Sequence, residues 1–233
     1  MQSVSALYQQ IYDGEHFVEA KVVISGVEYS KANIVSLSTE NALYDEFSIG
    51  NVSSREINLE LWGVSSIPRM AYIEPYVRVV SATSQSEWLP KSKFFVDTRE
   101  YDPDSDTLVI RGFDAMLKAD AVFFESGTWS PQTAKAIVQT IAGDIGVSIE
   151  AGTLTELTNT TYIIQSIPSM GNDGTTSREM LSYIGVMYGG NWIIDDSGEL
   201  KLVGLVDIPA ETYYLITSAG NPITFGGVRI LVG

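Results

Sequence analysis

The sequence has no cysteine, one histidine, half as many cationic as acidic side chains and no long apolar run, and each shortage removes a class of function. Without cysteine there are no disulfides, no thiolate metal sites and no thiol nucleophile, and the compartment is left open. His16 stands alone, so multi-histidine metal sites and the HExxH metalloprotease helix are excluded. The 14 Lys and Arg face 29 Asp and Glu, for a formal net charge of −15. Residues 1–119 hold 10 basic and 17 acidic side chains and residues 120–233 hold 4 and 12, so neither half is a basic module. Such a surface repels phosphate, which argues against groove-tracking nucleic-acid binding and adhesion to anionic membranes. No segment approaches the roughly 18 apolar residues of a membrane span. The opening MQSVSALYQQIYDGEHF lacks the basic and apolar regions of a secretory signal. The expectation is a chain with no membrane anchor and no sequence-specific nucleic-acid contacts, kept in the cytosol unless an assembly carries it out.

What is present is enough for a packed globular protein: 233 residues, 45% of them hydrophobic, with only 18% charged. A short polar helix over about Val4 to Tyr12 ends at Asp13-Gly14. A strand-like pattern follows for about a hundred residues. Phe17 to Ile24 turns at Ser25-Gly26 into Val27-Glu28-Tyr29, a hairpin signal. Further strands are predicted at Ala32–Leu37, Arg55–Trp62, Tyr76–Ala82, Phe94–Thr98 and Thr107–Phe113; in the second, Ile57, Leu59 and Leu61 alternate with Glu56, Asn58 and Glu60. Many short strands separated by turn clusters predict a closed or nearly closed antiparallel barrel.

Near Asp114 the period becomes helical. A short helix is expected over Asp114–Ala119 and a longer one from Ser130-Pro131, with Ser130 as cap and Pro131 in the first helical position. There Ala134, Ile137, Val138, Ile141 and Ile145 share one face, and the helix stops near Gly143 to Gly146. Thr176 and Glu179 are spaced as a capping box ahead of Met180, Leu181, Ile184, Met187 and Tyr188, and Gly189-Gly190 ends that helix. Asn191–Asp195 and Glu199–Gly204 flank Asp196-Ser197-Gly198 as a second hairpin. The first half therefore reads as all-β and the second as α+β: an antiparallel barrel-like unit over 1–113, an α+β unit over 114–220, and a short final piece over 221–233.

Candidate chemical sites are few. His16 lies just after a polar helix, with no signal for the convergent nucleophile and acid that a triad needs. Asp102-Pro103-Asp104-Ser105-Asp106 opens like a calcium loop, but Thr107 stands at the sixth position where that loop requires Gly and Phe113 at the twelfth where it requires Glu, so a solvated turn is the better reading. Gly171-Asn172-Asp173-Gly174 precedes a helix N-terminus but lacks the spacing and lysine of a phosphate loop. The acidic pairs Asp195-Asp196 and Asp45-Glu46 could serve glycoside hydrolysis only if two carboxylates converged across a cleft. Trp62, Trp88, Trp129 and Trp192 sit beside apolar or strand-like sequence, which favours packing over a sugar platform. No catalytic, cofactor-binding or metal-binding residue is assigned, and no enzymatic activity is expected.

Several phrases resemble the tail or baseplate hub proteins of phages and prophages of Gram-positive bacteria. They are Phe47-Ser48-Ile49-Gly50-Asn51-Val52-Ser53-Ser54 with its following strand, Ile67-Pro68-Arg69-Met70-Ala71, Ser86-Glu87-Trp88-Leu89-Pro90-Lys91, Phe95-Val96-Asp97-Thr98-Arg99 and Arg111-Gly112-Phe113-Asp114-Ala115-Met116-Leu117-Lys118. In the second half, the helix over Ser130–Ile145 and the unit running from Thr176-Ser177-Arg178-Glu179 through Gly189-Gly190-Asn191-Trp192 to Asp196-Ser197-Gly198-Glu199-Leu200 are similar too. The resemblance implies a tube-like barrel, an inserted α/β domain and a second barrel. Three copies would form a pseudo-sixfold ring under the tail tube. It further implies docking to tail-tube and baseplate or tail-tip proteins, and a place in the virion after synthesis in the host cytoplasm. Only Pro222–Gly233 resembles the opening of the second barrel, and the expectation there is an exposed or weakly paired apolar edge at Val228–Val232. Rival readings from the same residues are a tail-associated cell-wall hydrolase and a carbohydrate-binding tail-tip module.

Overall fold

A computed structural model describes residues 4–40, 48–124, 129–157, 163–166, 174–204, 224–225 and 228–229. The chain opens with helix α1 (Ala6–Tyr12), capped by the Ser5 hydroxyl, which accepts the Tyr8 N–H at 3.0 Å. Strands β1 (Phe17–Ile24), β2 (Val27–Tyr29), β3 (Ile34–Glu40), β4 (Glu56–Trp62), β5 (Tyr72–Val80), β6 (Leu89–Pro90), β7 (Phe94–Asp102) and β8 (Thr107–Phe113) follow. They form one antiparallel sheet in the order β2-β1-β5-β7-β8-β4-β3, with β6 paired to β5. The β1–β2 turn has positive φ at both Ser25 and Gly26, the backbone twist that suits a two-residue hairpin.

Alternation gives this sheet one buried face. In β4 the side chains of Ile57, Leu59 and Leu61 are at most 1% exposed, while Glu56, Asn58 and Glu60 lie on the other face. Burying each of the three is worth about 1.5–3 kcal/mol. Val22 and Ile24 of β1 and Ile73 of β5 belong to the same buried cluster as Leu108 and Ile110 of β8 and the three apolar residues of β4. β1 and β4 are not neighbours in the sheet, and Ile73, Phe94, Val96, Leu108 and Ile110 of the strands between them carry the cluster from one to the other. No pairing among the described residues links the edge strands β2 and β3, so over those residues the expected closure of a barrel is not found.

Beyond β8 a 3-10 helix over Ala115–Asp120 replaces the short helix expected there; Asp114 caps it. Strands β9 (Val122–Phe124) and β10 (Gln132–Thr133) lead to α2 (Ala134–Ile145), α3 (Ala151–Glu156), β11 (Ile163–Ile164), β12 (Thr175–Thr176), α4 (Ser177–Tyr188), β13 (Gly190–Ile194), β14 (Leu200–Gly204), β15 (Thr224–Phe225) and β16 (Val228–Arg229). The cap of α2 is Thr133 and not Ser130, because Gln132 and Thr133 are held extended by pairing with β11, and Thr133 then accepts the Ala136 N–H at 3.2 Å. The capping box of α4 forms as its spacing predicts: Thr176 accepts from the Glu179 N–H at 3.2 Å and Glu179 accepts from the Thr176 N–H at 2.7 Å. Gly146 and Gly189 end α2 and α4 in the left-handed conformation.

A second core lies here. Ile137, Val138, Ile141 and Ile145 of α2 pack with Met180, Leu181 and Ile184 of α4 and with Trp192, Ile194, Leu200 and Leu202 of the β13–β14 hairpin. β15 and β16 pair antiparallel, while Ile230–Val232, the rest of the expected apolar edge, lie outside the described residues.

Candidate functional site

The two cores are joined by a seam that the quoted sequence phrases build. The loop ahead of β4, residues 48–54, runs beside β13. The Gly50 N–H donates to the Gly190 carbonyl at 3.0 Å, the Trp192 N–H to the Asn51 carbonyl at 2.8 Å, and the Ser53 N–H to the Trp192 carbonyl at 3.1 Å. The Asn51 N–H donates to the Asn191 side-chain oxygen at 2.9 Å, and Val52 and Trp192 form a parallel bridge. Backbone can approach this closely because glycines line the contact. Gly50 holds φ +85°, and a Cβ there would lie 2.5 Å from Val186 Cγ2 and 2.8 Å from the Ser182 carbonyl. A Cβ on Gly185 would lie 2.9 Å from the Gly190 carbonyl and 3.1 Å from Gly50 Cα.

Three charged groups lock the seam. The Arg178 guanidinium, on α4, pairs with Asp120 and donates to the carbonyls of Val52 at 2.6 Å and Met116 at 2.8 Å, so one side chain ties α4, the loop 48–54 and the 3-10 helix together. Arg55 pairs with Asp196 in the β13–β14 turn and holds that carboxyl below the usual carboxylate range, mainly through the hydrogen bond. Asp114 is fully buried. Its oxygens accept the Arg55 N–H at 2.8 Å and the Met116 N–H at 3.0 Å.

Burial pushes the Asp114 carboxyl up to about 6, against the pull of those two N–H donors and of the nearby Arg55 and Arg178. An acid with a raised folded pKa is protonated more readily in the fold than in the unfolded chain, whose value is near 3.8. Stability from this group is therefore fully present below that unfolded value and lost as the pH rises through about 6. The full effect is about 3 kcal/mol, at roughly 1.4 kcal/mol for each tenfold difference in proton affinity between the folded and unfolded chain. Urea unfolding of the protein and of Asp114→Asn at pH 4.5 and 7 is expected to show the wild type losing stability relative to the variant as the pH rises. A difference independent of pH would contradict it.

The sequence-predicted candidates do not converge. His16 Nδ1 lies 2.9 Å from the Gly14 carbonyl and its ring packs on Tyr12 at 5.0 Å. Residues 103–106 form the β7–β8 turn: Asp102 accepts from the Asp104 N–H and the Ser105 hydroxyl, which lower its pKa, and Asp106 accepts from the Tyr101 hydroxyl. Asp195 holds its own turn by accepting the Ser197 and Glu199 N–H groups. Asp45, Glu46 and the loop residues Gly171, Asn172 and Asp173 lie outside the described residues. Among the described residues no cluster of three or more His, Cys, Asp or Glu could hold a metal ion. The tryptophans are scattered. Trp192 is fully buried, Trp129 donates to the Ile164 carbonyl at 2.8 Å, the Trp88 ring has Lys21 and Arg78 within 5.0 Å of its centre, and Trp62 is exposed. Sequence reasoning assigns no role to Arg178, Arg55 or Asp114; only the capping box around Arg178 and the helical change at Asp114 point near them.

Comparison with solved structures decides the fold. The chain is similar to a prophage tail protein. The 43 kDa tail protein of prophage MuSo2 from Shewanella oneidensis matches with a TM-score of 0.54 at 17% identity, over 91% of this chain and 62% of that one. A tail protein from Neisseria meningitidis MC58 matches at 0.49 with 12% identity, covering 88% and 58%. The prophage tail protein gp18 of Listeria monocytogenes EGD-e matches at 0.45 with 11% identity, covering 80% and 50%. This chain thus spans less than two thirds of the length of each of these proteins. No protein-family model and no curated protein sequence matches it.

Proposed function

We propose that the chain is a non-catalytic structural component of a phage or prophage tail, a hub-like part that self-associates and joins the tail tube to the baseplate or tail tip. The observation that carries this reading is the likeness to the Shewanella prophage tail protein over 91% of the chain. The two cores support a division into a tube-like barrel over 1–113 and an α+β domain over 114–220; that 221–233 opens a second barrel rests on the sequence resemblance alone. The antiparallel sheet with its one buried cluster supports the barrel, and its place would be the virion.

Self-association has a physical basis at the sheet edge. β3 is a seven-residue edge strand with no outer partner among the described residues, and its Val35 is 55% exposed. Edges of that length are templates for pairing with another chain. In sedimentation experiments at matched concentration, the 233-residue chain is expected to be monomeric or weakly associated. A longer polypeptide continuing through the second barrel is expected to be a stable trimer. A longer polypeptide that stays monomeric at roughly tens of micromolar, where a weak contact is already populated, would contradict the hub.

A further inference from the structure

A cleft of about 230 Å³ opens where the two cores meet, with walls from both. Tyr72 and Phe95 come from the sheet, their rings 5.6 Å apart and inclined at 57°. Gly146 and Ser148 follow α2, and Gly198 lies in the β13–β14 turn. Lys93 reaches in beside them, with Nζ 6.0 Å from the centre of the Tyr72 ring. Its stem passes 3.4 Å from where a Cβ on Gly198 would stand. Against the cleft, Lys118 places Nζ 3.8 Å from the centre of the Phe95 ring and 3.9 Å from the position of a Cβ on Gly146.

Two cations stand at this cleft without a carboxylate partner. Acids outnumber bases two to one in the chain, and Lys21, Lys31, Arg55, Arg69, Arg78, Arg111 and Arg178 all have a carboxylate partner. Among the described residues, Lys91, Lys93, Arg99, Lys118, Lys135 and Lys201 form no ion pair; of these, Lys93 lines the cleft and Lys118 stands against it. Lys118 is half-buried, its one hydrogen bond goes to the Ile145 carbonyl at 3.3 Å, and burial holds its ammonium below the usual lysine range. The acids at the rim are turned to hydroxyls: Glu199 accepts from Ser148 at 2.9 Å and Glu74 from Tyr72 at 3.3 Å. Ser92, next to Lys93, is 5% exposed, holds φ +66° and has a hydroxyl with no partner; strained backbone of this kind concentrates at ligand sites. Flat apolar walls with a few convergent polar groups are the usual make-up of a small-ligand site.

We propose that this cleft binds a carboxylate carried on a small aromatic body, the acid meeting Lys93 and the ring lying against Tyr72 and Phe95. The carboxylate is either that of a free small acid or an acidic side chain on a partner polypeptide. The inference stands apart from the tail reading, since it rests on the cleft alone.

Nuclear magnetic resonance titration of the isotopically labelled chain tests it, with phenylacetate, its neutral analogue 2-phenylethanol and the blocked peptide acetyl-Phe-Asp-amide as probes. Shifts are expected at the amides of Lys93, Ser148 and Gly198 with the acids and not with the alcohol. Binding of phenylacetate should weaken roughly tenfold in Lys93→Met, the order of loss for one charge-assisted contact, and further in Lys93→Glu. Lys93 is exposed, so both variants should keep the rest of the spectrum unchanged. Tighter binding of the peptide assigns the carboxylate to a polypeptide, and tighter binding of phenylacetate to a free acid. An equal response to 2-phenylethanol, no response at the cleft, or unaltered affinity in both variants would overturn the proposal.

Discussion

Replacing Gly185 by alanine is expected to destabilise the protein by about 2 kcal/mol, although the same change inside an exposed helix stabilises by about 1 kcal/mol. The sign is reversed by what the new methyl group meets. A Cβ at this position would stand 2.9 Å from the Gly190 carbonyl, 3.1 Å from Gly50 Cα and 3.2 Å from Trp192 Nε1. Two of these are backbone atoms of segments held by the seam's own hydrogen bonds, from Gly50 to Gly190 and from Trp192 to Asn51. Relief requires moving the loop 48–54 away from β13. The urea midpoint should fall, and hydrogen exchange at the Gly50 and Trp192 amides should speed up more than exchange in the sheet core. A raised midpoint would mean that the seam is loose.

Trp192→Ala should cost more, about 3–5 kcal/mol, since it deletes the largest fully buried side chain of the second core. Trp192→Phe separates packing from polarity. The indole N–H has no hydrogen-bond partner, so phenylalanine gives up no bond and removes an unmet polar group while keeping much of the volume. The phenylalanine variant should therefore retain most of the stability that alanine loses. Chemical denaturation of the three proteins decides it, and equal losses in both variants would show that the indole N–H matters in a way its surroundings do not reveal.

How much of this is legible in the sequence depends on the range of the interaction. The alternation of Ile57, Leu59 and Leu61 with Glu56, Asn58 and Glu60 is a property of one strand, and β4 forms where that pattern lies. The Thr176–Glu179 capping box is equally local. The cap of α2 falls three residues beyond the expected Ser130 because Thr133 is fixed by its extended pairing with β11, about thirty residues along the chain. Strands β3, β5 and β7 have other limits than expected for the same reason: their ends follow their partners' register and not their own composition.

The seam is the least local feature of all. Asn51 meets Asn191 and Arg178 meets Val52 across more than a hundred residues of chain. Nothing in the spacing of either segment announces the other. Phrases such as Ile49-Gly50-Asn51-Val52 and Gly189-Gly190-Asn191-Trp192 are recognisable by resemblance, yet their physical reason is the mutual approach of Gly50, Gly185 and Gly190. Asp114 reads as the start of a helix, and it is one, but its burial between the two cores is visible only in three dimensions.

A structural part of a tail, at the junction of tube and baseplate or tail tip, is the role proposed for this chain. Gold-labelled antibody raised against residues 48–124, applied to tail particles purified from cells expressing the protein, tests it most directly in the electron microscope. Label at the end of the tube, once per particle, is the predicted result. Particles without label, while the soluble fraction holds all of the protein, would contradict the account.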